Sequence, residues 1–233
     1  MSVIPWSYST YEAYHTCPRA FYEIKIAKNY VEDKNKSYLL WGNAVHNALE
    51  KRVGEGLSLP ENMQQWEPLA VSLVAAPGDK YCELQTAVTA ALQPTGFWDA
   101  DAWSRGKEDI VIVNGSRGLS IDYKTGKRKT DTQQLKASAG RVFAMFPAVE
   151  VLTTAYAWLG DSAVKWDKAQ YTRADIPKIW DEFRPRVAEM EWSVEHNAWP
   201  AKPSGLCKKS RKPGSTYGGC IVASCPHSEY YKR

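Results

Sequence analysis

The chain has 233 residues, of which 30 are basic and 26 acidic, and its formal charge of +4 is too small to identify a partner by itself. With 44% hydrophobic and 24% charged residues it has the composition of a soluble globular protein, and no apolar run is long enough to cross a bilayer. The opening MSVIPWSYST lacks the basic and apolar segments of a secretory signal, so we expect a cytoplasmic protein without a membrane partner, folded as one domain.

The first third of the chain is predicted to be mainly helical. Ser9 followed by Glu12 predicts a capping box at the start of a helix, and the Cys-Pro pair at 17–18 restarts a second, short helix. An apolar stripe from Trp41 to Val53 predicts a longer helix, and His46 lies beside that stripe. The apolar segment LAVSLVAA is predicted to form a further helix.

Strand patterns follow in the middle of the chain. The remaining predicted elements are a strand-like segment from Tyr81 to Leu92, a hairpin from Glu108 to Lys127, a helix from about Asp131 to Phe143, a strand in VEVLTTAYAWL with a partner from Ala163 to Trp166, and a helix from Ile176 to Trp192. A tail rich in Pro, Gly and Lys is predicted to be a loop. Helices around a mixed sheet place the chain in the α/β or α+β class.

The hairpin carries an acid at each far end. With a four-residue loop at 114–117, Val113 faces Gly118 and Asp109 faces Asp122, while Lys124 shares the face of Asp122. A two-residue loop would slide this register, although any even-length loop keeps both acids on one face. Because like charges set directly opposite are destabilising, we expect a cation between the two carboxylates.

A divalent hard cation at this position would support phosphodiester cleavage. Carboxylate ligands and access to water suit Mg²⁺ or Mn²⁺ better than Zn²⁺, and Lys124 could orient the attacking water or stabilise transition-state charge. The alternative is a surface hairpin whose acids pair with nearby lysines. Acid-x-Lys by itself is too common to decide between them.

Further motifs give the chain a family resemblance. Gly-x-x-x-His at 42–46, Gly-x-x-Asp at 106–109 and Asp-x-Lys at 122–124 precede a predicted helix that carries Gln134. In this order they resemble the RecB-like nucleases of the PD-(D/E)xK superfamily, which include RecB, AddB, the CRISPR-adaptation exonucleases and many phage relatives. The resemblance implies a restriction-endonuclease-like core in one nuclease domain at 1–233, with a helical part at 1–80, a nuclease core at 81–195 and a basic, cysteine-containing tail at 196–233.

The resemblance also implies roles for individual residues. His46, Asp109 and Asp122 would be metal ligands, joined by the carbonyl of Tyr123, and Lys124 would be the catalytic lysine. Without the family, His46 has the alternative of a hydrogen-bonded structural histidine.

Three residues near these motifs have supporting roles in the resemblance. Glu83 would reach the metal through water or support Lys124. Gln134 would contact the DNA backbone near the scissile phosphate, with Gln133 as the alternative register, and Ser138 stands where the family has tyrosine.

Five cysteines in a chain that lacks a secretory signal favour metal binding or free thiols over disulfides. Cys17, Cys207, Cys220 and Cys225 match the one-plus-three order in which several relatives hold a [4Fe-4S] cluster, although twelve residues separate Cys207 from Cys220. Zinc held by the same four, or with His227 replacing one, and free thiols remain alternatives. Cys82 is predicted to be a core residue.

The resemblance implies a metal-dependent exonuclease that acts on single-stranded or duplex DNA ends in recombination, repair or end processing, alone or with an annealing or helicase protein. The alternatives are a DNA-binding module without turnover, a site-specific endonuclease and a purely structural protein. Basic residues that either bind phosphate or form a solvated loop and tail are Lys124, Lys127, Arg128, Lys129, Lys208, Lys209, Arg211, Lys212, Lys232 and Arg233.

Overall fold

The computed structural model describes residues 4–128, 130–160, 163–208 and 219–229. These residues form the helices α1 Tyr8–Thr16, α2 Pro18–Phe21, α3 Ser37–Gly54, α4 Glu67–Ala75, α5 Gln133–Met145 and α6 Ile176–Glu195, and the strands β1 Asp79–Thr89, β2 Ala102–Asn114, β3 Arg117–Lys124, β4 Val151–Leu159 and β5 Val164–Thr172. A π-helical turn, Tyr22–Ile26, follows α2, and short 3-10 turns lie at Glu61–Trp66, Arg173–Asp175 and Gly205–Lys208.

The five strands form one mixed sheet in the order β1-β2-β3-β4-β5. β3 and β4 are parallel, and α5 makes the crossover between them, whereas the other neighbouring pairs are antiparallel. The predicted α/β (α+β) class, with a central mixed sheet flanked by helices, is therefore confirmed.

Each face of the sheet packs against helices. Side chains of β2 alternate, so that Val111 lies in one apolar cluster while Ile110 and Ile112 lie in the other. The first cluster includes α1, α5 and α6, and the second includes α3 and α4. The sheet is thus the middle of three layers, and the side chains at the open end of β2 and β3 are within reach of both helical layers.

The helices and strands lie close to where the sequence predicts them, but the start of α1 and the hairpin turn differ from the prediction. Ser7, rather than Ser9, caps α1, because its hydroxyl accepts from Thr10 N at 3.3 Å and the Thr10 hydroxyl accepts from Ser7 N at 2.7 Å. The hairpin turn is two residues long, with Asn114 paired to Arg117, yet the predicted Val113–Gly118 pairing is confirmed. The expectation that a two-residue loop would slide the register was therefore wrong, because the strands simply continue into the turn.

No helix within the described ranges combines the length and apolar character that crossing a bilayer needs.

Candidate active site

The candidate site lies where the pairing of β2 with β3 ends. The last pair of this ladder is Ile110–Ile121, so Asp109 and Asp122 lie just beyond it. The Oδ2 atom of Asp109 accepts a hydrogen bond from the backbone N–H of Tyr123 at 2.6 Å. This bond holds the Asp109 carboxylate against β3 although the regular ladder has stopped.

Asp109 belongs to a group of possible metal ligands on the α3 side of the sheet. Its Oδ1 atom lies 3.1 Å from Nδ1 of His46, and ligand atoms of His46, Glu83 and Asp109 all lie within 4.8 Å of one another. Burial lowers the pKa of His46, but the hydrogen bond and charge of Asp109, aided by Asp122 and Glu83, outweigh it and the pKa is raised. The imidazole therefore lies in a strongly negative environment.

Glu83 reaches this group because β1 changes face there. Tyr81 and Leu84 both pack against the α5 side while Cys82 packs against the α3 side, so the two-residue alternation is interrupted at Glu83. The backbone φ of Glu83 is +52°, in the left-handed region that residues with a Cβ seldom adopt. Its carboxylate forms an ion pair with Lys107.

A second group lies on the α5 side. Lys124 Nζ lies 2.7 Å from Asp122 Oδ2 and donates to Gln134 Oε1 at 2.9 Å, while Gln134 Nε2 donates to Asp122 Oδ1 at 2.7 Å. The lysine also lies 5.1 Å from the centroid of the Tyr156 ring. Burial, and after it the charge of Asp109, raises the pKa of Asp122 to about 7 against the lowering effect of Lys124.

The simple picture of two acids side by side on one strand face needs correction. Asp109 contacts His46 and the Tyr123 amide, whereas Asp122 contacts Lys124 and Gln134. Side chains alternate strictly only along a regular ladder, and the ladder ends one pair before the acids. The charges of the two acids still interact, as the raised pKa of Asp122 shows.

The structure also distinguishes between the residues proposed for α5. Gln134, rather than Gln133, is the residue whose side-chain amide contacts Asp122 and Lys124. Ser138 is 4% exposed and its hydroxyl lies 3.1 Å from that of Ser120. The Ser138 side chain therefore faces the sheet, so it does not take the place of the family's tyrosine at the DNA.

Glu83 differs from its expected role in a similar way. It joins His46 and Asp109 directly and is paired with Lys107, so it does not support Lys124 in this arrangement.

Sequence reasoning missed a buried ion pair next to the site. Arg141 and Glu108 are 3% and 6% exposed, and Arg141 Nη2 donates to Glu108 Oε1 at 2.8 Å. The guanidinium passes directly over Gly106, where an added Cβ would lie 2.3 Å from Arg141 Nη2. The glycine of the Gly-x-x-Asp motif is thus explained by the space that Arg141 occupies.

A sequence signal for this pair did exist on α5. Gln134, Ser138 and Arg141 are spaced four and three residues apart, so they lie on one helical face. Each forms a polar contact with the sheet, and together these contacts set the position of α5 along β2 and β3.

The four candidate cluster cysteines come together at the ends of the chain. Cys17, Cys207, Cys220 and Cys225 line one small cavity, together with His227. The backbone N–H of Lys202 lies 3.4 Å from the Cys17 sulfur, and burial raises the pKa of Cys220, as do the other three cysteines. Within the described part of the chain, no three of these sulfurs lie within 4.8 Å of one another.

Cys82 lies apart from this group, half-buried beneath the end of α3. Several residues of the predicted basic clusters lie outside the described residues, namely Lys129, Lys209, Arg211, Lys212, Lys232 and Arg233.

Known proteins resemble this chain at the level of its fold and its family. No curated protein matches the sequence. A crystal structure from Eubacterium rectale, named "Putative exonuclease", is 15% identical over 91% of both chains with a TM-score of 0.50, which shows similarity of fold. The crystal structure of SSO0001 is 14% identical over 76% of this chain and 74% of that chain, with a TM-score of 0.43. A family model described as the PD-(D/E)XK nuclease superfamily matches residues 5–209, and because this match spans most of the sequence, the chain belongs to that superfamily.

Proposed function

We propose that the protein is a divalent-metal-dependent DNA nuclease of the RecB-like type that hydrolyses phosphodiester bonds from DNA ends. The observation that carries this proposal is the convergence of His46, Glu83 and Asp109, whose ligand atoms lie within 4.8 Å of one another, beside the Asp122–Lys124 pair. The two groups come from α3, β1, β2 and β3, so only the folded chain assembles them.

The donor set fits a hard divalent cation. Two carboxylates and one imidazole converge, and the Asp122 carboxylate lies in a buried position where its charge is poorly compensated, as its raised pKa indicates. His46, Glu83, Asp109 and Asp122, with the carbonyl of Tyr123, would hold Mg²⁺ or Mn²⁺. Such an ion lowers the pKa of a bound water and polarises a phosphoryl oxygen.

Lys124 is the residue that we assign to the reacting phosphate. Gln134 accepts from its ammonium group and donates to Asp122, so the amide orients both side chains at once. A lysine fixed in this way can orient the attacking water and stabilise the negative charge that develops on the phosphoryl oxygens. Gln134 is a positioning residue in this arrangement.

The test compares degradation of linear DNA and of covalently closed circles, with Mg²⁺ or Mn²⁺ and with EDTA. We expect metal-dependent loss of linear single-stranded or duplex DNA while closed circles persist. Lys124→Met should abolish cleavage with the fold intact, whereas Lys136→Met, an α5 lysine paired with Glu182, should cleave like the wild type.

Equal cutting of circles would identify an endonuclease, and DNA binding without any metal-dependent cleavage would identify a binding module. Either result contradicts the proposed exonuclease.

We further propose that the four clustered cysteines hold a [4Fe-4S] cluster that joins α2 to the C-terminal segment. Tetrahedral zinc with Zn–S bonds near 2.3 Å needs all its sulfurs about 3.8 Å from one another, whereas no three of the four described sulfurs lie within 4.8 Å of one another. A [4Fe-4S] cluster takes four thiolates and places iron ions between them, so four cysteines that line one cavity without a tight trio favour it over zinc.

Protein purified without oxygen should show a broad visible absorption shoulder and contain iron. Cys225→Ser should lose both, whereas Cys82→Ser, outside the cavity, should keep them. Colourless wild-type protein that contains zinc would favour the zinc alternative, and protein with neither metal would favour free thiols.

A further inference from the structure

We infer that the outer face of β2 guides a single DNA strand into the candidate active site, through a track formed by Trp98, Arg105 and Lys107. This inference rests on the proposed function, because it assumes that the substrate is a nucleic acid. None of the three is a motif residue of the family resemblance, although Lys107 fills a variable position of the Gly-x-x-Asp motif at 106–109. Arg105 contacts the Trp98 ring, and Lys107 pairs with Glu83 at the candidate metal site.

The two faces of this part of β2 have opposite characters. Ser104 and Glu108 are buried, and Gly106 between them lies beneath the Arg141 guanidinium. Because strand side chains alternate, Arg105 and Lys107 lie on the other face. That face is open at Lys107, whose side chain is 52% exposed.

Lys107 connects this face to the metal-ligand group. Its ammonium group pairs with Glu83, whose carboxylate lies in one group with the His46 imidazole and the Asp109 carboxylate. Glu83 would help to hold a divalent cation, and the Lys107 ammonium group, which now pairs with that carboxylate, would then be available to a phosphate. The track therefore ends at the atoms proposed for catalysis.

Trp98 marks the other end of the track. It is 75% exposed, and the Arg105 guanidinium lies 4.9 Å from its ring centroid and 5.1 Å from that of Phe97. Arg105 also donates to the Phe97 carbonyl at 3.3 Å, which fixes the guanidinium in this position. An exposed indole held beside a cation can stack on a nucleobase while the cation lies near the backbone.

The spacing of the track fits an extended strand. A β-strand rises about 3.4 Å per residue, so Arg105, Lys107 and Asp109 follow one another at intervals of about 7 Å. Successive phosphates along an extended single strand are separated by a similar distance. A base must leave its stack before its face can reach Trp98, so the occupant is a single strand rather than an intact duplex.

The experiment measures binding of a fluorescently labelled 20-nucleotide oligothymidylate by anisotropy in Ca²⁺, which replaces Mg²⁺ and keeps the strand intact. Trp98→Ala should weaken binding by about 5-fold to 100-fold, the range expected for one lost base stack. Lys107→Gln should reduce the slope of log affinity against log salt by about 0.7, as expected for one lost phosphate contact on a single strand.

Two variants elsewhere on the surface serve as matched controls. Trp192→Ala removes an exposed tryptophan of α6, which is 53% exposed, and Lys168→Gln removes an exposed lysine of β5. Both controls should bind like the wild type, and thermal unfolding of all four variants checks that the fold is kept.

Binding by Trp98→Ala within twofold of Trp192→Ala would overturn the track. Equal weakening for a blunt, hairpin-capped duplex would overturn its assignment to a single strand. Failure of the proposed function is recognised separately: wild-type protein that binds the oligonucleotide through Trp98 but never cleaves it would leave the track standing and remove the nuclease assignment.

Discussion

The buried ion pair between Arg141 and Glu108 makes a quantitative prediction about stability. Both side chains are almost fully buried, and the guanidinium donates to Glu108 Oε1 through Nη2 at 2.8 Å and through Nε at 3.2 Å. Arg141 Nε also lies 3.1 Å from the Thr86 hydroxyl. Arg141→Met would keep most of the side-chain volume but leave the Glu108 carboxylate in a buried site with only the Thr86 hydroxyl as donor.

Removing one partner of a buried ion pair lowers the free energy of unfolding by about 3–5 kcal/mol. For a chain of this length we therefore expect the midpoint of thermal unfolding to fall by roughly 6 to 20 °C. Urea unfolding followed by circular dichroism measures the same free energy of unfolding without heating.

The double variant Arg141→Met/Glu108→Leu separates the pair from its surroundings. Replacing both members of a buried ion pair by apolar residues is often neutral or stabilising, so the double variant should recover most of the stability lost in the single variant. Two results would refute the view that the unpaired carboxylate causes the destabilisation. One is a single variant whose free energy of unfolding falls by less than about 1 kcal/mol, and the other is a double variant no more stable than the single one.

Three further outcomes are expected. Because burial raises the pKa of Asp122 to about 7, metal-free protein should lose stability as the pH rises from about 4 to above 7, and Asp122→Asn should flatten that dependence in unfolding measured with EDTA at pH 5 and pH 8. Gly140→Ala would place a Cβ 2.5 Å from Trp180 Cζ2, so we expect a loss of roughly 1–3 kcal/mol, measured by urea unfolding; an unchanged midpoint would contradict the packing of α5 on α6. Ser7→Ala should cost about 1 kcal/mol through loss of the α1 cap, while Ser9→Ala should cost under half of that, and the reverse order would restore Ser9 as the cap.

Local patterns accounted for much of the fold. The hairpin register was predicted because Asn-Gly marks a tight turn and because alternating β-formers fix which residues face each other, as in the Val113–Gly118 pair. The helix that carries Gln134 and the long α6 followed from apolar periodicity, which reports on residues a few positions apart. The types and order of His46, Asp109, Asp122 and Lys124, together with the family resemblance, led to their prediction as site residues.

Tertiary structure decided how those residues are grouped. Glu83 joins His46 and Asp109 because β1 changes face at this residue, whose φ is +52°. The alternation of apolar and polar residues in the sequence does not predict that change of face. Likewise, a glycine is needed at position 106 because the Arg141 guanidinium lies where a Cβ would be. Arg141 is 35 residues further along the chain.

The amino-acid order by itself determined the helices, the strands, the hairpin register and the chemical types available for a metal site, because these depend on interactions between near neighbours. The packing of α5 and of the chain ends against the sheet decided two further features. It set which carboxylate faces which cation, and it brought Cys17 and Cys225 into one cavity. Those contacts join residues far apart in the chain, and only the three-dimensional fold sets the distances between them.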